Sequence, residues 1–234
     1  MDSMVKTFLS CCILLSASSL TLFGVVIQSF EGGVSPGTTN LTLTACNISA
    51  PISSLLAEGT YAIDSNSANC HKLWANVPAQ SGSKFMIVNG NATGGSVYTQ
   101  TVTGVIPSAA STFSAYVTGL YLQSPAGIEL RIFDGAGTND ANRLGTIQFN
   151  TSINPPTPNP LWAKMSVAFV PTTSTVTVQV FNFTTFADGN DFGIDTLDIT
   201  PFIGGAIINP TPEPGALLLA GTMLLGIAAR RWKQ

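Results

Sequence analysis

In the stretch "STVTVQVFNF", residues 174–183, Val176, Val178 and Val180 alternate with Thr175, Thr177 and Gln179. A period of two puts the valines on one face of an extended chain and the polar residues on the other, which predicts a strand with one buried face. The same alternation sets Phe113, Ala115 and Val117 against Ser114, Tyr116 and Thr118 in "TFSAYVTGLYL". It also sets Ile128, Leu130 and Ile132 against Glu129 and Arg131 in "GIELRIFDG". Four further runs read as strands: "SKFMIVNG", "GSVYTQTVTG", "AKMSVAFVP" and "DFGIDTLDIT". Between them lie Asn89-Gly90, the "TGG" at 93–95, "DGAGTND" from Asp134, "NPPTPNP" from Asn154 and "ADGND" from Ala187. Glycine supplies positive φ and proline withholds a ladder donor, so these clusters are turns. No amphipathic helix interrupts the series. Seven or eight strands punctuated in this way predict one all-β domain, a jelly-roll β-sandwich over residues 31–205.

The two ends follow a different pattern. Residues 1–30 begin with Lys6 and continue into "FLSCCILLSASSLTLFGVVI", a charged start followed by an apolar run, as in a signal peptide. Two small-residue pairs suit a cut, Ala17 with Ser19 and Ile27 with Ser29, and both remain open. A permanent anchor is the alternative, because the run nearly reaches bilayer-spanning length. At the other end, a linker at 206–214 carries Pro212, Glu213 and Pro214. The uncharged stretch Gly215–Ala229 follows, then Arg230, Arg231 and Lys233. As a helix, that stretch rises about 22 Å against a hydrocarbon core of about 30 Å. The basic residues would hold its end in the cytoplasm. The predicted architecture is therefore a sandwich between an N-terminal signal helix and a short C-terminal transmembrane helix within 215–234.

Charge changes the picture next. Only 9% of residues are charged, against roughly 25% in typical soluble domains. Between Glu31 and Asn209 stand ten acidic and five basic residues. Such a body offers no cationic face to phosphates, so nucleic acid is excluded as a partner. Once a signal segment is removed, two cysteines remain, Cys46 and Cys70. An even count in an exported chain points to a disulfide between them.

The order Pro212-Glu213-Pro214, short apolar run, Arg230-Arg231 resembles the PEP-CTERM sorting signal. That resemblance implies recognition by an exosortase, removal of the apolar tail near the Pro-Glu-Pro, and release or transfer to the cell surface or extracellular matrix. It also implies a bacterium that makes extracellular polysaccharide. The signal peptide implies the Sec translocon as the export partner, and the apolar tail a transient stay in the inner membrane. The body between Tyr61 and Thr200 resembles a galactose-binding-like jelly roll of the kind found in carbohydrate-binding modules. The resemblance rests on the ordered segments "VYTQTVTG", "TFSAYV", "LWAKMSVAFVPTTSTVTVQVFNF" and "DFGIDTLDI".

Candidate chemistry is sparse. The sequence has one histidine, His71, and no GxSxG elbow or phosphate-cradling glycine motif. No spacing selects two carboxylates for glycoside hydrolysis, so a non-enzyme is expected. Sugar binding uses exposed aromatic rings, and the candidates are Trp74, Tyr116 and Tyr121, with Tyr116 on the polar side of its strand. Tyr98 and Trp162 are also aromatic, and Trp162 is expected in the core. The resembled jelly rolls often carry a structural Ca2+ on a closing-strand aspartate, which corresponds to Asp195, with Asp191 as a partner ligand. Polysaccharide binding is the first expectation for the body. A purely structural matrix protein is the second, and a small hydrolase using His71 or an acidic pair the third.

Overall fold

A computed structural model describes residues 23–47, 54–121, 125–151, 162–186 and 189–202. The C-terminal transmembrane helix, the linker, Pro212, Glu213, Pro214, Arg230 and Arg231, and the first 22 residues of the signal segment lie outside the described residues. Among the described residues, no helix is long and apolar enough to cross a membrane.

Among the described residues, eleven strands form two sheets. They are β1 (Phe23–Gln28), β2 (Thr42–Leu43), β3 (Thr60–Asp64), β4 (Phe85–Asn89), β5 (Gly95–Thr103), β6 (Ser111–Gly119), β7 (Gly127–Asp134), β8 (Arg143–Asn150), β9 (Ala163–Phe169), β10 (Thr175–Asn182) and β11 (Asp191–Phe202). The larger sheet runs β2-β3-β4-β11-β6-β9, with β1 also on β11, and the smaller runs β5-β10-β7-β8. All seven strands expected from alternation are present. β1, β2, β3 and β8 were not among them.

The long β11 organises the larger sheet. β6 pairs along one edge of it, from Phe192 to Thr200. The opposite edge is shared, β4 taking Asp191–Ile194 and β1 taking Leu197–Phe202. Within residues 23–30, which the sequence reading assigns to the signal segment, Phe23 pairs with Phe202 and Phe30 is fully buried.

Between the sheets lies the main core. The predicted inward rows meet there: Val176, Val178 and Val180 from β10, Ile128, Leu130 and Ile132 from β7, and Phe113, Ala115 and Val117 from β6. Burying each such side chain contributes about 1.5–3 kcal/mol. A second core covers the other face of the larger sheet. Leu55, Cys70, Trp74 and Val77 pack there on Ala62, Phe85, Ile87 and Leu120. The Cys46–Cys70 disulfide, with a Cα–Cα distance of 4.4 Å, staples this covering segment. Ser67 pins it further, its hydroxyl donating to the Ala75 carbonyl and accepting from the Val77 N–H.

Candidate functional site

The three aromatic residues expected to bind sugar do not form one platform. Trp74 is buried in the second core, where its ring stacks on His71 at 4.9 Å. It serves as a packing residue, and its indole lies near enough to the Asp191 carboxylate to favour its charged form. Tyr121 is half-buried against the same core. Tyr116 projects from β6 on the outer side of the larger sheet, opposite Asp195 on β11 and Lys164 on β9, with the Lys164 ammonium 5.5 Å from its ring. Trp162 packs at the second core as expected, edge-on to Phe85 and donating to the Pro78 carbonyl. Tyr98 is fully buried between the sheets.

Asp191 and Asp195 both leave β11 on its outer side, yet they have different company. A bulge between Asp195 and Asp198 breaks the register with β6, and Thr196 there adopts φ 43°. The Asp195 carboxylate accepts from the N–H groups of Gln80, Ser81 and Thr196 and from the Thr196 hydroxyl. Every one of these contacts is a hydrogen-bond donor, so the carboxylate is held by three amides and a hydroxyl. Burial pushes its pKa up to about 6 against those hydrogen bonds. Burial likewise pushes Asp191 up to about 7, opposed by the Trp74 indole and assisted by the charge of Glu58. Among the described residues, no three of His, Cys, Asp or Glu gather to hold a metal ion.

Burial lowers the pKa of His71, and its Nδ1 accepts from the Leu73 N–H.

Two features appear that the linear sequence concealed. On the outer face of the smaller sheet, the Arg131 guanidinium lies 3.6 Å from the centre of the Phe181 ring and donates twice to Glu129. Thr146 donates to the other Glu129 oxygen. Burial acts to raise the pKa of Glu129, but the hydrogen bonds from Arg131 and Thr146 and the charges of Arg131 and Arg143 outweigh it and leave it lowered. The signal was present in the outward positions of β7 and β10, two residues apart in each strand. Cross-strand register then set Arg131 beside Gln179 and Glu129 beside Phe181.

The second feature is a cleft of about 150 Å3 at the end of the sandwich where the β4–β5 turn passes from one sheet to the other. Asn40, Asn91, Asn182 and Ser96 line it together with Gly59, Gly90, Gly94 and Gly95. The wall is built from an asparagine ladder. Asn182 donates to the Asn190 side chain, and Asn190 donates to the Asn91 carbonyl. A Cβ on Gly90 would stand 2.4 Å from the Asn190 carbonyl oxygen, and Gly94 sits at φ +68° with the Asn182 carbonyl 2.6 Å from the same position. Only glycine permits this approach. No charged side chain lines the cleft. Leu41, Val88 and Val97 complete the lining, so the cleft combines amide, hydroxyl and backbone groups with an apolar patch.

No protein-family model matches the chain, and no curated protein matches it. Solved structures do share its shape. A Stig cyclase from Fischerella sp. TAU is similar at 13% identity and a TM-score of 0.50, over 76% of this chain and 98% of that one. A carbohydrate-binding module solved with β-1,4-galactotriose is similar at 14% identity and a TM-score of 0.41, over 73% and 92%. A xylan-binding domain from Paenibacillus barcinonensis is similar at 12% identity and a TM-score of 0.40, over 68% and 94%. At 13% identity the likeness to the cyclase is one of fold alone.

Proposed function

We propose that the protein is an exported, non-enzymatic surface or extracellular-matrix protein that is sorted by an exosortase and binds polysaccharide through the asparagine-lined cleft. The cleft carries this reading. An uncharged ligand with hydroxyls and an apolar ring face matches a wall of amides and backbone groups, which can donate and accept at once, set beside Leu41, Val88 and Val97. A volume of about 150 Å3 is smaller than the roughly 300–1,000 Å3 of pockets for drug-sized ligands, so it would take one ring or a chain end. The Cys46–Cys70 disulfide suits an oxidising compartment outside the cytoplasm. The Pro212-Glu213-Pro214 motif, the apolar run and Arg230-Arg231 support handling by an exosortase.

Titration of the surface-extracted protein with the neutral polysaccharides of its producer tests the binding. Replacing Asn40 and Asn91 together by alanine removes two amide partners, each contributing about 0.5–1.5 kcal/mol, and is expected to weaken affinity about tenfold. Unchanged affinity in that double variant, or no binding to any neutral polysaccharide, would overturn the cleft. Sorting is read separately from the intact mass at the C-terminus, expected to end near Pro214.

A further inference from the structure

We infer that the signal segment is cut at the Ala17/Ser19 pair, so that the mature chain begins at Leu20 and β1 is the first element of the finished domain. The inference rests on the export reading, and it chooses between two cuts that sequence alone leaves open.

A cut after Ser29 would remove all of β1. The edge of β11 from Leu197 to Phe202 would lose its partner. Gln28 would be lost with it, and Gln28 is the clasp that ties this strand into the core. Its amide donates to the carbonyls of Val34 and Ser35 and to the Tyr98 hydroxyl, and its oxygen accepts the N–H groups of Ser29 and Phe30. The same cut would place a new ammonium on Phe30. That residue is fully buried, its ring edge-on to Tyr98 at 5.6 Å. A buried, unpaired charge is among the most costly changes a fold can suffer.

An uncut anchor meets a different obstacle. One chain segment cannot be membrane helix and sheet strand at once. With Phe23–Gln28 in the sheet, the uncharged run shrinks to Phe8–Leu22. Fifteen helical residues rise about 22 Å, short of the roughly 30 Å hydrocarbon core. For a cleavable signal the shorter run is favourable. A cut after Ser19 leaves an apolar stretch from Phe8 to Leu15, within the 7–15 residues usual for that region, whereas a cut after Ser29 would leave one reaching Ile27. β1 pairs with the last described strand, so it joins the sheet only after β11 has been translocated.

N-terminal sequencing of the protein exported from a bacterial host carrying the full gene tests this. The expected first residue is Leu20. A folded exported protein that begins between Gly24 and Phe30 would overturn the inference and leave export standing, as would an uncut chain anchored in the inner membrane. Retention of the whole chain in the cytoplasm would instead overturn the export reading. Two substitutions add a second measurement. Ser19→Tyr, which puts a bulky ring beside the proposed cut, is expected to accumulate precursor, and Ser29→Tyr to be processed like the parent. The reverse pattern would overturn the assignment.

Discussion

Tyr98 exposes none of its surface, yet its hydroxyl donates to Gln100 at 2.6 Å and receives the Gln28 amide. Burial pushes the phenol pKa from 10.0 up to about 12, against the hydrogen bonds of Gln28 and Gly37. Because the folded value is raised, the stability tied to the neutral phenol is complete below about pH 10 and lost as pH rises through 12. Tyr98→Phe leaves the two glutamine side chains short of a partner and is expected to cost about 1–3 kcal/mol at pH 7. The variant should also flatten the decline in urea midpoint between pH 10 and 12, and an unchanged decline would assign it to another group. Asp191 gives a test at lower pH. Its pKa is raised from 3.8 to about 7, so the stability contributed by the neutral carboxyl is present below about pH 4 and lost as pH rises through 7. Asp191→Asn keeps an acceptor for Trp74 without the charge. It is expected to raise stability by about 1–3 kcal/mol at pH 8, with the difference closing by pH 4. Equal destabilisation at both pH values would show that the carboxyl group is needed whatever its charge, and would overturn the role given to its burial. Neither role was legible from residue type. Trp74 reads as a candidate sugar-stacking ring in the sequence and Tyr98 as one more aromatic residue, and only the pairing of sheets and the covering segment show that both are enclosed.

Strands with one wet face announced themselves by alternation and β4, buried on both faces, by its apolar run, whereas β3 and β8 did neither. β6 and β10 carry the predicted inward rows in the main core. In β3, Thr60, Tyr61 and Ala62 are all buried, because Tyr61 faces the main core and Ala62 the second one. Its five residues therefore show no period of two. β8 is an edge strand, exposed over much of its length, and edge residues escape the selection that produces clean alternation. β1 was hidden for another reason. Its "FGVVIQ" continues the apolar run of the signal segment, so hydropathy alone cannot divide secretion signal from strand. The disulfide was legible from cysteine counting, although the second core it staples was not. Replacing Cys46 and Cys70 by serine opens a loop with a sequence separation of 24 residues, and loops of that size are expected to contribute about 3 kcal/mol. Urea denaturation of the double variant should show a matching loss. A loss under about 0.5 kcal/mol would mean that the hydrophobic contacts of Trp74, Val77 and Leu55 hold the segment unaided.

At the scale of the molecule, β11 fixes a direction. Its first residue pairs with Asn89, next to Gly90 and Asn91 at the cleft, and its last pairs with Phe23, where the described chain begins. Twelve residues at about 3.3 Å each span roughly 36–40 Å. The cleft and the point where the chain leaves toward Pro212 are thus at opposite ends of the sandwich. If the C-terminal run holds the precursor at a membrane, the chain is attached at the end of the sandwich remote from the cleft. Binding should then be indifferent to the state of the tail. In cells lacking the sorting peptidase, the tethered precursor is expected to bind neutral polysaccharide with an affinity within about twofold of the processed protein, a difference below 0.5 kcal/mol. Comparing the two by titration on membrane vesicles and on released protein measures this directly. A tethered form at least tenfold weaker would place the binding surface near the β1–β11 end and not at the asparagine cleft.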